Sequence, residues 1–548
     1  MSKSKIKIYC FILCLTMIVS LAVGCVQSKN DGTTNTQQTT NNQEKTTQSE
    51  NSTPAQTGPQ RPEVLEVTRT LYFGDATDNP ELKEEFMVEF EKRTGQKLKV
   101  NAIPRNGYME KVNLMISSGE LKGLVSVFTP ADVLKAIEDG TAEPLDDYLK
   151  DNANWNKFSQ DYRDSLKFQG HIYGINAGYS GNYFTRAIRK DWLDNLGLDV
   201  PETVDDLFEV AKAFTENDPD QNGQNDTGGL TAAGTWNLGD IFQAFDARLD
   251  NTSSGSITWD PKEGAWIDSM LKPGMIDALK YLKRLYDNKY LDNEFLTNSG
   301  NNMREKIYTG KYGSTFYWAM FGYTTCRNEM AKTFPEAEFV EVPALKGTRT
   351  EQLNHRVLNG IVYILVKGTK QPKETVNAFV DLILCDKDAH FMSRYGIENK
   401  TYKWEGNTLV ILNNPETGKP YDVPGLTGEM PEFGQDKYPV IYDGTPQERE
   451  RSLNDINIKN EMTEKAFKEG LLFDVPSAAY DSPISATFTN TSVDYYKLYE
   501  EVIASVVTGK ATPEEAVRTY REKMKALGAD KILEEANAAI GKKSVMQY

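Results

Sequence analysis

From residue 64 to the end of the chain, apolar positions recur with the two periods of strands and helices. Residues 67–73 (VTRTLYF) form a strand-like run, after which Asn79-Pro80 opens a helix with the proline in its first turn. Leu82, Phe86 and Phe90 fall at i, i+4 and i+8 on one face of that helix, and Gly95 stops it. Residues 98–103 (LKVNAI) alternate again and 124–128 (LVSVF) form a short apolar run. Strand, helix and strand in this rhythm predict an α/β architecture. Two later helices carry strong start signals. Thr203 to Asp206 reads as a capping box ahead of Leu207, Val210, Ala211 and Phe214. Thr512-Pro513-Glu514-Glu515 places an N-cap, a first-turn proline and an N3 glutamate before Val517, Tyr520, Met524 and Leu527, with Gly528 as the stop. Strands return at 338–342 and 361–366. No internal repeat is visible.

The first 62 residues follow a different pattern. Residues 1–8 are basic and 9–23 almost wholly apolar, the layout of a signal peptide and too short for a comfortable spanning helix. The run ends Leu21-Ala22-Val23-Gly24-Cys25, which resembles the bacterial lipobox. That resemblance implies cleavage after Gly24 and lipidation of Cys25. Residues 26–62 are dominated by Ser, Thr, Asn, Gln and Gly, with Val26 the only large aliphatic. Such a segment cannot bury enough apolar surface to offset its ordering entropy, so it is expected to be a flexible tether. The expected plan is a signal peptide over 1–24, an anchored tether over 25–62, and one large module over 63–548. No later apolar run is long enough to span a bilayer.

Charge and cysteine content narrow the chemistry. The chain of 548 residues has a formal net charge of −17; the leader carries three lysines and no acid, so a chain cut after Gly24 stands at −17 − 3 = −20. Nucleic acid, which needs a basic footprint, is a poor partner for it. The cysteines are Cys10, Cys14, Cys25, Cys326 and Cys385, and the histidines His171, His355 and His390. No CxxC pair or Cys/His cluster exists for zinc or for Cys–His catalysis. Cys326 and Cys385 either pair in an oxidising compartment or are small buried thiols.

Residues 170–214 contain Gly170, Tyr173-Gly174, the run Arg189 to Leu198, and Pro201 with Thr203. This pattern resembles the first inter-lobe crossover of extracellular solute-binding proteins of carbohydrate importers. Residues 281–295, 395–408 and 509–540 are similar to further landmarks of that family, while 119–125 (GELKGLV) lacks its usual Pro-Asp. The resemblance implies a bilobed fold: two α/β lobes joined by crossover strands, with a ligand cleft between them. The lobes are expected at roughly 64–176 plus 346–410, and 177–345 plus 411–548. It also implies capture of a carbohydrate, most simply an oligosaccharide, by a monomer tethered outside the cytoplasmic membrane, with delivery to the permease of an ABC importer.

Residues 218–229 (DPDQNGQNDTGG) place oxygen donors at Asp218, Asp220, Asn222 and Asp226, the Gln224 carbonyl at position 7 and Gly223 at the bend. That is EF-hand spacing, without the bidentate glutamate, since position 12 is Gly229. A structural calcium ion is the expectation; an Asp/Asn/Gly-rich turn without an ion is the alternative. Candidate ligand residues lie after strands and crossovers: Asp75, Asp78, Arg105, Tyr108, Tyr179, Tyr183, Trp236, Tyr317 and Trp318. Trp192 and Trp404 fall in landmarks that read as structural. Two other functional classes remain open at this point: a secreted carbohydrate-active enzyme using paired carboxylates, and a ligand-binding co-receptor for a membrane sensor.

Overall fold

The computed structural model describes residues 60–548 except 71–79, 105–106, 129, 165, 169, 179–180, 250–254, 332, 348–353, 359–360, 422–424, 475–485 and 540. The leader, Cys25 and nearly all of the expected tether therefore lie outside the described residues. The strands of the two main sheets are, in chain order, β1 (Leu65–Thr70), β2 (Leu98–Ile103), β3 (Leu124–Val127), β4 (Gly174–Asn176), β5 (Phe184–Arg189), β6 (Gly228–Leu230), β7 (Tyr312–Trp318), β8 (Phe339–Val342) and β9 (Val362–Leu365). The first sheet runs β2-β1-β3-β9-β4 and the second β8-β5-β7-β6. In the first, β1 lies parallel to β2 and β3, while β9 is antiparallel to β3 and β4. In the second, β5 is antiparallel to β7 and β8, and β6 is parallel to β7.

Each sheet is covered on both faces, as the two-residue period of its strands requires. In the first, Leu124, Tyr363 and Leu365 join one core with Phe86 and Phe90 of the helix Pro80–Thr94. Val125, Val362 and Ile364 turn to the opposite core with Val112. In the second, Ile188 packs with Trp192, Leu207 and Phe214, while neighbouring Ala187 faces Phe321, Cys326 and Phe339. The two lobes are connected at Gly181–Asn182, Asn354–Leu358 and Leu472–Asp474, three short segments that pair with one another.

The expected capping boxes at Thr203 and Thr512 both form, and a third occurs at Thr445 with Glu448. Two boundaries differ from expectation. The fold begins before Glu63: Arg61 donates to the Thr94 carbonyl at 2.6 Å, and Gln96 Nε2 donates to the Pro62 carbonyl at 3.0 Å. The first lobe extends past residue 410. Leu426, Met430 and Phe433 are buried in its core, and the Tyr363 hydroxyl donates to the Leu426 carbonyl at 2.8 Å. Residues 411–442 thus belong to the first lobe, and the chain leaves it at the helix Pro446–Lys468. Cys326 is buried in the second lobe and Cys385 packs against the first; both are free thiols.

Candidate functional site

The second sheet ends in a cluster of aromatic rings. Antiparallel pairing sets Trp318, the last residue of β7, directly opposite Phe184, the first of β5. Their ring centroids are 4.2 Å apart. Trp236 joins from a short helical turn, Thr235–Leu238, that follows Gly234, a position whose φ of 81° favours glycine. The turn is fastened by Asn237, which accepts from the Ala233 N–H at 2.9 Å and donates to the Phe316 carbonyl at 2.8 Å. Trp236 then meets Phe184 edge-on at 5.9 Å and Tyr317 at 5.5 Å. Phe184 and Phe316 are buried, whereas Trp236, Tyr317 and Trp318 are half-exposed. The result is an apolar floor edged by three partly buried rings, of which Tyr317 also packs against Phe321 at 4.4 Å.

The framework behind this platform is polar and closed. Arg186 on β5 makes a bidentate pair with Asp240 at 2.7 and 2.5 Å, both side chains fully buried. Asp240 lies in the helix Gly239–Ala244, which continues directly from the Trp236 turn, so the pair ties that turn to the sheet.

Of the expected ligand residues, Trp236, Tyr317 and Trp318 are brought together. Tyr108 and Tyr183 are not presented to a ligand. Tyr108 is buried, its hydroxyl donates to the Ser126 carbonyl at 2.8 Å, and burial pushes its phenol up to about 12. Tyr183 is buried against Ala466 and Leu472, with its hydroxyl 2.8 Å from Thr463 Oγ1. Asp75, Asp78, Arg105 and Tyr179 lie outside the described residues. Sequence reading missed Phe184, the centre of the cluster, and Phe128. Phe128 is 41% exposed just past β3, at the carboxyl ends of parallel strands where crevices of open α/β sheets form. The available signal was the aromatic that closes the LVSVF run.

The 218–226 loop lies between the helix Val204–Glu216 and β6. Asp218, Gln221 and Gly223 all have positive φ, which coils the backbone. Asp218 accepts from the N–H groups of Asn222 and Gly223 at 3.1 and 3.0 Å. The Asn222 amide donates to Asp220 at 2.9 Å and to Asp226 at 3.3 Å, and Asn222 Oδ1 accepts from the Gln224 N–H at 2.7 Å. Burial, Asp218 and the charge of Asp226 together push the Asp220 carboxyl above its usual range. Among the described residues no group of three His, Cys, Asp or Glu side chains is arranged to hold a metal ion; in this loop the Asn222 amide bridges two of the carboxylates.

Known proteins share this architecture. The lipoprotein LipO of Bacillus subtilis is 27% identical over 365 residues, 64% of this chain and 70% of LipO. The polygalacturonan/rhamnogalacturonan-binding protein YtcQ of the same organism is 28% identical over 340 residues, 60% of this chain and 65% of YtcQ. Among solved structures, an EF-hand mutant of the ABC-transporter substrate-binding protein FusA of Streptococcus pneumoniae, in complex with fructo-nystose, superposes with a TM-score of 0.63. It is 17% identical, covering 87% of this chain and 99% of FusA, and so speaks for the fold. The family model for the bacterial extracellular solute-binding protein matches residues 74–389, more than half of the sequence, and the chain belongs to that family.

Proposed function

We propose that this protein captures an oligosaccharide on the Phe184-centred platform and delivers it to an ABC importer. The observation that carries the reading is the set of half-exposed rings, Trp236, Tyr317 and Trp318, fixed over buried phenylalanines at the end of the second sheet. Sugar rings offer apolar C–H faces, and indole and phenol rings are broad surfaces that need little side-chain ordering to meet them. Phe128 supplies an aromatic from the first lobe. The relatives named for polygalacturonan and fructo-nystose support a saccharide as the ligand class. Thermal melting with kestose and with trigalacturonate tests the reading. A ligand that binds only the folded state, present at about 100 times its Kd, adds about 2.7 kcal/mol. A rise in melting temperature with either sugar is the expected result; no rise with either, nor with a wider panel of plant and host oligosaccharides, overturns it.

Two further parts of the reading concern the anchor and the loop. Cys25 is the lipid-bearing N-terminus, in keeping with the lipobox-like sequence and the lipoprotein relative. No helix among the described residues is long and apolar enough to cross a membrane, so the lipid would hold the chain at the outer face. Cys25→Ser is expected to move the protein from the membrane fraction to the medium; equal retention of parent and variant sinks the anchor. The 218–226 loop takes a structural calcium ion through Asp218, Asp220, Asn222, Asp226 and the Gln224 carbonyl.

A further inference from the structure

Glu341, on β8 opposite Ala187 of β5, is buried and has no cationic partner among the described residues. Its side chain is satisfied by neutral donors alone. Oε2 accepts from Thr185 Oγ1 and from the Met320 N–H, each at 2.7 Å, and Oε1 accepts from the Gly322 N–H at 2.8 Å. Burial pushes its carboxyl above the usual range, and an ionisable group buried without a counter-ion is costly, so its geometry calls for a reason.

These donors, joined by the Tyr323 N–H, border the aromatic platform. Thr185 follows Phe184 on β5. Met320 and Gly322 flank Phe321 in the turn that leaves β7 after Trp318. Phe321 in turn packs 4.4 Å from the Tyr317 ring. Met320 has φ 74°, a left-handed conformation that a side-chain-bearing residue adopts only when its surroundings impose it. Here three contacts impose it. Its N–H is held by Glu341, its carbonyl accepts from the Thr324 N–H at 2.9 Å, and Ala319 before it donates to the Tyr183 carbonyl at 2.9 Å. Gly322 allows the close approach: a Cβ there would lie 3.0 Å from the Cβ atoms of both Ala187 and Phe339. One side chain thus ties β5 to the segment that follows β7, just past Trp318.

We propose that Glu341 is a positioning residue for ligand capture, locking the turn after Trp318 so that the rings of the platform stand at a fixed spacing before a saccharide arrives. This rests on the platform reading above, and it makes Glu341 matter for affinity through preorganisation. A carboxylate suits the task because it is acceptor-only, and its oxygens can take several converging donors at once. Glutamine at this position turns one oxygen into an amide donor that faces another donor.

The test uses the whole protein labelled with 5-fluorotryptophan, with the fluorine resonances of Trp236 and Trp318 assigned from Trp→Phe variants. Glu341→Gln is expected to shift or split those two resonances and leave Trp192, Trp259 and Trp266 unmoved. Affinity for whichever of kestose and trigalacturonate the parent binds is expected to fall about tenfold, roughly the weight of one lost charge-assisted hydrogen bond. Thr185→Val removes a single donor and carries the same readout, with a smaller shift, should Glu341→Gln not fold. Resonances that stay at parent positions in a folded variant overturn the proposal, even if the melting temperature falls, because a purely structural role predicts that pattern. The spectra need no sugar, so they report on the turn even where neither probe binds, and failure of the platform reading is told apart from failure of this one.

Discussion

Truncating Trp318 to alanine is expected to weaken saccharide binding by about 2 kcal/mol, roughly thirtyfold in Kd, while the protein stays folded. Trp318 stands half-exposed at the end of β7, so only part of its surface is committed to the fold, chiefly through Phe184 at 4.2 Å. Trp236→Ala is expected to act in the same direction, since its turn is held by Asn237 and by the Arg186–Asp240 pair independently of the indole. The comparison that gives these variants meaning is Trp192→Ala. Trp192 is fully buried, with its ring edge-on to Phe214 at 5.2 Å. Its truncation is expected to cost about 3–5 kcal/mol of stability and leave the affinity of the remaining folded protein unchanged. Calorimetric titration beside thermal melting separates the two behaviours. If the Trp236 and Trp318 variants both bind as tightly as the parent, the platform is not the binding surface.

The fold was legible where local pattern and tertiary packing agree. The Leu82, Phe86 and Phe90 stripe is buried as its period demanded, and the Thr203 and Thr512 capping boxes form because both partners of each lie within three residues. The misplaced lobe boundary has the opposite character. Residues 426–433 (LTGEMPEF) show no period, and what holds them is Tyr363, 63 residues away, and Ala177, 250 residues away. The burial of Tyr108 and Tyr183 was hidden for the same reason. A tyrosine after a strand looks identical in sequence whether its hydroxyl meets a sugar or Thr463, 280 residues along the chain. Trp236 and Trp318 were legible as aromatics in Gly-rich settings, but the residue that joins them, Phe184, carried no local signal. Its role arises from strand register alone, which sets it across from Trp318.

Chelating calcium is expected to lower the melting temperature of the parent protein by several degrees, and returning calcium to restore it. The reason lies in the charge balance of the 218–226 loop. Asp218, Asp220 and Asp226 approach one another without an ion-pair partner among the described residues, and the Asn222 amide is the neutral donor between two of them. Burial first, then Asp218 and the charge of Asp226, raise the Asp220 carboxyl, and a bound divalent cation opposes that shift. Binding to the folded state alone at about 100 times Kd adds about 2.7 kcal/mol. The Asp220→Asn variant sharpens the test because its two expected effects have opposite signs. Asparagine keeps an acceptor for the Asn222 amide but removes one of three negative charges. In chelator, the variant is expected to melt at or above the parent, since repulsion is relieved. In calcium it is expected to melt below the parent, since a hard oxygen ligand is weakened. Parent curves that coincide with and without chelator would show that the loop is held by Asn222 and its turn hydrogen bonds alone.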